Sequence, residues 1–61
     1  MGSEEVEIDG QLITVRPPVS NITTNGKGEV RYVDSTGPTQ CQFSTDEIAG
    51  QFAAWLSGLT L

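Results

Sequence analysis

Histidine is absent from this 61-residue chain, cysteine occurs once, and three lysines and arginines stand against eight aspartates and glutamates. Without histidine, a general base poised near neutral pH has to come from a strongly shifted carboxylate or amine. A single cysteine excludes an internal disulfide framework and any zinc site built from several thiolates. The scarcity of cations gives a net charge of −5, which disfavours direct contact with nucleic acid or with an anionic membrane surface. No apolar run approaches the roughly 20 residues of a membrane-spanning helix, and no signal-peptide pattern is visible. A cytoplasmic protein is the expectation. At this length folding removes only about 60% of the unfolded chain's surface from water, so the stability margin is thin.

What is present reads as one small domain. Met1-Gly2-Ser3 has the look of an expression scar or a disordered start, and residues 4–61 carry the fold. Glu5-Val6-Glu7-Ile8 alternates polar with apolar, the period of a half-buried strand. Asp9-Gly10 follows, a pair that favours the left-handed backbone of a tight hairpin turn. Gln11 to Arg16 returns. With Asp9 and Gly10 as the central turn residues, Ile8 faces Gln11, Val6 faces Ile13, and Glu4 faces Val15. Val6, Ile8, Ile13 and Val15 then share one face, while Glu5, Glu7, Leu12, Thr14 and Arg16 share the other. A slip of one residue would scatter the apolar set.

Pro17-Pro18 stops that strand, since neither residue can donate to a ladder. Val19 to Thr24 fits either a loop or an edge strand. Asn25-Gly26-Lys27-Gly28 is a turn cluster. Glu29 to Asp34 and Thr39 to Phe43 read as two further strands, with Val30, Tyr32, Cys41 and Phe43 turned to the core. Ser44-Thr45-Asp46-Glu47 has the form of a capping box, with Ser44 at the N-cap and Glu47 three positions on. From there Ile48, Ala49, Phe52, Trp55, Leu56 and Leu59 fall on one helical stripe ending near Gly58, which suits a left-handed C-terminal stop. Strands gathered ahead of a single helix predict an α+β fold. The expected form is a small antiparallel β-sheet of four to five strands with one C-terminal α-helix packed on one face. The alternative is a small bent open barrel plugged by the helix.

Few residues offer chemistry. Cys41 lacks a histidine or a nearby cation to form its thiolate, and its alternation with Phe43 predicts a buried, unreactive thiol. Glu4, Glu5, Glu7 and Asp9 form one acidic cluster. Glu5 and Glu7 project from the same face about 7 Å apart, but a sheet with one helix offers no cleft for paired-acid hydrolysis, and the oxygen ligands of a calcium loop are missing. Four carboxylates replace only about 7 Å of duplex charge, too little to mimic DNA. A solvated strand face, with Arg16 as a neutralising neighbour, is the plain reading. Asn25 to Gly28 lacks the spacing of a phosphate loop, and Asn21-Ile22-Thr23 matches a glycosylation sequon by chance. Trp55 belongs either to the core or to an interface.

These residues predict no enzyme, no cofactor and no metal. They predict a small acidic protein-interaction module, of the kind a phage or mobile element uses as an accessory or inhibitor of a larger protein. Glu5, Glu7, Asp9 and Trp55 are the candidate contacts to a protein partner with a basic patch. The competing expectation is a structural subunit that forms a homodimer or larger homo-oligomer through its sheet edges or its uncovered sheet face.

Overall fold

A computed structural model describes residues 2–60; Met1 and Leu61, the ends of the expected start segment and of the expected domain, lie outside the described residues. Five strands precede one helix: β1 (Glu4–Ile8), β2 (Gln11–Val15), β3 (Ser20–Thr24), β4 (Glu29–Asp34), β5 (Gly37–Gln42) and α1 (Asp46–Ser57). All pairing is antiparallel, as expected, but the strands divide into a two-stranded sheet, β1-β2, and a three-stranded sheet, β3-β4-β5, which do not close into a barrel. Val19 to Thr24, readable either way from sequence, contributes a strand.

The first hairpin has the register its alternation dictates, with Ile8 opposite Gln11, Val6 opposite Ile13 and Glu4 opposite Val15. Asp9 and Gly10 both take positive φ, 56° and 72°, the paired left-handed geometry that matches the twist of the flanking strands. Between β3 and β4 the register slips between Ser20 and Thr23. Asn21 absorbs the extra residue at φ 55°, a conformation its short polar side chain tolerates. Strand β5 starts earlier than expected, at Gly37. Pro38 fits there because it faces Val33, one step from the turn-flanking pair Asp34–Gly37. That is a position where β4 requires no donor, on a strand with an open edge.

The helix begins one residue later than the sequence predicts. Ser44 does not cap it. Its N–H and hydroxyl donate to the two carboxylate oxygens of Asp9, at 2.8 and 2.9 Å. The cap passes to Thr45, whose hydroxyl oxygen accepts from the Ile48 N–H at 3.1 Å. Glu47 therefore sits at the second helical position, and the reciprocal half of a capping box does not form. Asp46 and Glu47 still lie in the first turn, where the helix dipole favours negative charge. Gly58 is right-handed at φ −76°, not the left-handed stop its identity suggested. The chain ends the helix by tightening instead, with Gly58 N–H donating to the Trp55 carbonyl at 3.1 Å and Leu59 N–H to that of Leu56 at 2.8 Å.

Helix α1 packs across β3 and β4, and the inner face of the first hairpin completes the core. Ile13, Val15, Val19, Val30, Tyr32, Phe43, Ala49, Phe52 and Leu56 are buried. Val6, Ile8, Ile22, Cys41, Ile48, Trp55 and Leu59 are half-buried around them. Phe52 is the hub. Its ring centroid lies 5.1 Å from Phe43, 5.7 Å from Trp55 and 6.0 Å from Tyr32, distances at which aromatic pairs attract beyond their area burial.

Polar bonds join the two sheets at both ends of β2. At one end the Gln11 amide donates to the Gln42 carbonyl at 2.8 Å, next to the Asp9–Ser44 contact. At the other, Arg16 N–H donates to Asp34 Oδ2 at 3.2 Å and Ser35 N–H to the Arg16 carbonyl at 2.9 Å. Asp34 is the buried charged residue of the core region, and sequence reading treats it only as a strand end. Its Oδ1 also accepts from the Thr36 N–H at 2.9 Å and hydroxyl at 2.6 Å.

Gly28 closes the turn before β4 against the end of β5. Its carbonyl accepts from the Phe43 N–H at 2.7 Å, its φ is +83°, and a Cβ there would lie 2.6 Å from the Phe43 carbonyl oxygen. Backbone rather than a flexible side chain is in the way, so Gly28→Ala combines a left-handed alanine with a clash. A loss of about 2–3 kcal/mol is expected. Gly26 has a similar φ of +77° with nothing within 4 Å of its would-be Cβ, so Gly26→Ala should cost about 1–2 kcal/mol from conformation alone. Thermal unfolding of the two variants side by side checks this; equal melting temperatures would contradict the close approach at Gly28.

Candidate functional site

The outward face of the first hairpin is built by the alternation that fixes its register. Because Val6, Ile8, Ile13 and Val15 turn inward, Glu5, Glu7, Leu12, Thr14 and Arg16 must turn outward, and all five are exposed. Glu7 stands directly opposite Leu12 and Glu5 opposite Thr14. Leu12 is 68% exposed, the one large hydrophobic residue left open among the described residues. The face is thus an exposed leucine bordered by two glutamates. Arg16 shares it, and among the described residues it forms no ion pair; the one found there is Arg31 Nε to Glu29 Oε2, 3.4 Å, on the other sheet.

The four expected contacts are not gathered into one patch. Glu5 and Glu7 lie side by side on the exposed face. Asp9 is exposed at the hairpin tip, but both its carboxylate oxygens hold Ser44. Trp55 is half-buried and stacked on Phe52 at an interplanar angle of 22°, so it serves the core with part of its ring open. Leu12, on the same outward face, is a functional candidate beyond those four. The signal for it was an apolar residue out of phase with its strand.

Cys41 is half-buried rather than buried. Burial pushes its thiol pKa up, against the lowering effect of the hydrogen bond with the Tyr32 hydroxyl, the wrong direction for a nucleophile. Burial, and then the neighbouring thiol, pushes the Tyr32 phenol up as well. Among the described residues no group of three or more cysteine, aspartate or glutamate side chains is placed to hold a metal ion. Asn25 accounts for the glycine-lysine turn. Its side-chain oxygen accepts from the Lys27 and Glu29 N–H groups at 2.8 and 3.2 Å, and β4 rather than a helix follows.

The concavities are open to solvent, among them one of about 440 Å³ beside Arg16, Pro17 and Ser35. Another of about 320 Å³ lies on the outer face of the three-stranded sheet, lined by Asn21, Arg31, Val33, Pro38 and Gln40 among others. Its charged group, Arg31, is already paired with Glu29.

The fold and the face together define a small α+β domain whose most distinctive surface is an acidic hairpin. No protein-family model matches the chain, and no curated protein or solved structure matches it either. Among the described residues, no helix is long and apolar enough to cross a membrane.

Proposed function

We propose that this chain is a non-enzymatic protein-binding module that docks its acidic hairpin face on a basic patch of a larger protein. The observation that carries the reading is Leu12, exposed on a strand whose neighbouring apolar residues are buried, directly opposite Glu7 and diagonal to Glu5. An apolar contact inside a charged rim is the usual anatomy of a protein interface. The carboxylates steer encounter, and the leucine supplies area that is removed from water on docking. Neither glutamate supports the fold, since both side chains are exposed and neither takes part in a hydrogen bond or ion pair among the described residues.

Glu5→Lys with Glu7→Lys is therefore expected to leave stability within about 0.5 kcal/mol of wild type. The same double variant should lose its partner. Wild-type protein and the double variant, immobilised separately and exposed to one host lysate, provide the test. A partner retained by wild type, released by added salt and absent from the variant supports the reading. Identical sets of retained proteins would sink it. Homo-oligomerisation is the second reading, favoured by the same exposed leucine. Leu12→Ser separates the two, because a dimer closed by Leu12 would dissociate in light scattering.

A further inference from the structure

A two-residue turn makes its flanking residues, Ile8 and Gln11, a hydrogen-bonded pair, and bonding then alternates along the ladder. Val6 and Glu4 accordingly direct their N–H and C=O groups toward β2. Glu5 and Glu7 direct theirs away from it, to the open edge of β1. The same alternation on β2 sends the Arg16 groups away from β1, where they meet Asp34 and Ser35. That agreement confirms the phase. Among the described residues nothing pairs with the outward groups of Glu5 and Glu7.

Resting on the docking reading above, we infer that the β1 edge takes up an extended segment of the partner as an added antiparallel strand, with lysine or arginine alternating with apolar residues. Residues paired with Glu5 and Glu7 project on the glutamate side, so basic side chains there meet opposite charge across the ladder. The intervening residues project on the core side, beside Val6 and Ile8. Those two side chains are only half-buried, whereas Ile13 and Val15 on the adjacent strand are buried. Apolar residues of the added strand complete that cover. A second copy of this chain does not fit. Self-pairing through β1 brings outward-bonding residues opposite one another, which sets glutamate against glutamate, a repulsive arrangement that also protects a free edge from aggregation.

The probe is the peptide Lys-Val-Lys-Val-Lys-Val-Lys at low ionic strength, with the same peptide N-methylated at its lysine amides as a control of equal charge. Amide exchange of the wild-type chain is followed by NMR. The Glu5 and Glu7 amides should exchange rapidly in the free protein and slow by about tenfold or more at saturation, while Val6 and Ile8 are protected throughout. The N-methylated peptide should bind about tenfold more weakly or worse. If both peptides bind equally and the Glu5 and Glu7 amides stay unprotected, strand addition is overturned while docking by charge survives. If neither peptide binds, both readings fall.

Discussion

Phe52→Ala should abolish cooperative unfolding at room temperature. Phe52 is 0% exposed and meets Tyr32 edge-on, Phe43 at a tilt and Trp55 in a stack, so its ring joins α1 to β4, to the residue that follows β5 and to the helix's own next turn. Truncating a buried phenylalanine costs about 3–5 kcal/mol, and a small domain has only about 5 kcal/mol in total. Circular dichroism on heating should show a broad, shallow change in place of a transition. Phe52→Leu keeps most of the volume and should retain a transition, lowered by roughly 5–15 °C. A Phe52→Ala variant melting like wild type would mean that the helix does not lie across β3 and β4 as described.

Asp34→Ala should come close to that effect by a different route. The carboxylate is 8% exposed and takes hydrogen bonds from Arg16 N–H, Thr36 N–H and the Thr36 hydroxyl. Removing it leaves those donors facing a void at the seam between the two sheets. Charge-assisted hydrogen bonds contribute about 1.5–3 kcal/mol each at most and are not additive, so a loss of about 3 kcal/mol is expected. Burial raises the pKa of this group, but the Thr36 hydroxyl and the N–H groups of Arg16, Thr36 and Gly37 outweigh it and hold the pKa below the ordinary aspartate value. A lowered folded-state pKa stabilises the fold above the unfolded value near 3.9, and that contribution disappears as pH falls through the folded pKa. Asp34→Asn cannot titrate there. Urea unfolding at a series of pH values should show wild type well ahead of Asp34→Asn at pH 6, with the gap closing below about pH 4. A gap independent of pH would contradict the ionised, hydrogen-bonded carboxylate.

Local pattern carried much of this fold. The hairpin register followed from Asp9-Gly10 and four alternating apolar residues, and the helix stripe followed from 3.6-residue spacing. What escaped sequence reading depends on partners far along the chain. Two hydroxyl residues in a row, Ser44 and Thr45, are equivalent caps until Asp9, 35 positions earlier, engages the first. Val19 is a lone apolar residue after two prolines, with no periodicity to predict that it is buried. Asp34 gains its role from the Arg16 N–H, 18 residues away. The division into two sheets has the same origin, since among the described residues β2 is bonded toward the other sheet near its two ends, at Gln11 and at Arg16. For the site, alternation sufficed to put Glu5 and Glu7 outside. It could not show that Asp9 holds Ser44 or that Trp55 stacks on Phe52.

Recognition by the acidic hairpin is the central claim, and association kinetics test it most directly. With a retained partner in hand, the association rate is measured for wild type and for Glu5→Lys with Glu7→Lys across a range of salt. Long-range charge complementarity acts mainly on encounter, and its reach shrinks to about 10 Å at 0.1 M salt. The wild-type rate should fall steeply with salt, and the variant should associate slowly with little salt dependence while keeping the wild-type melting temperature. Equal rates and equal salt slopes for the two proteins would contradict the claim.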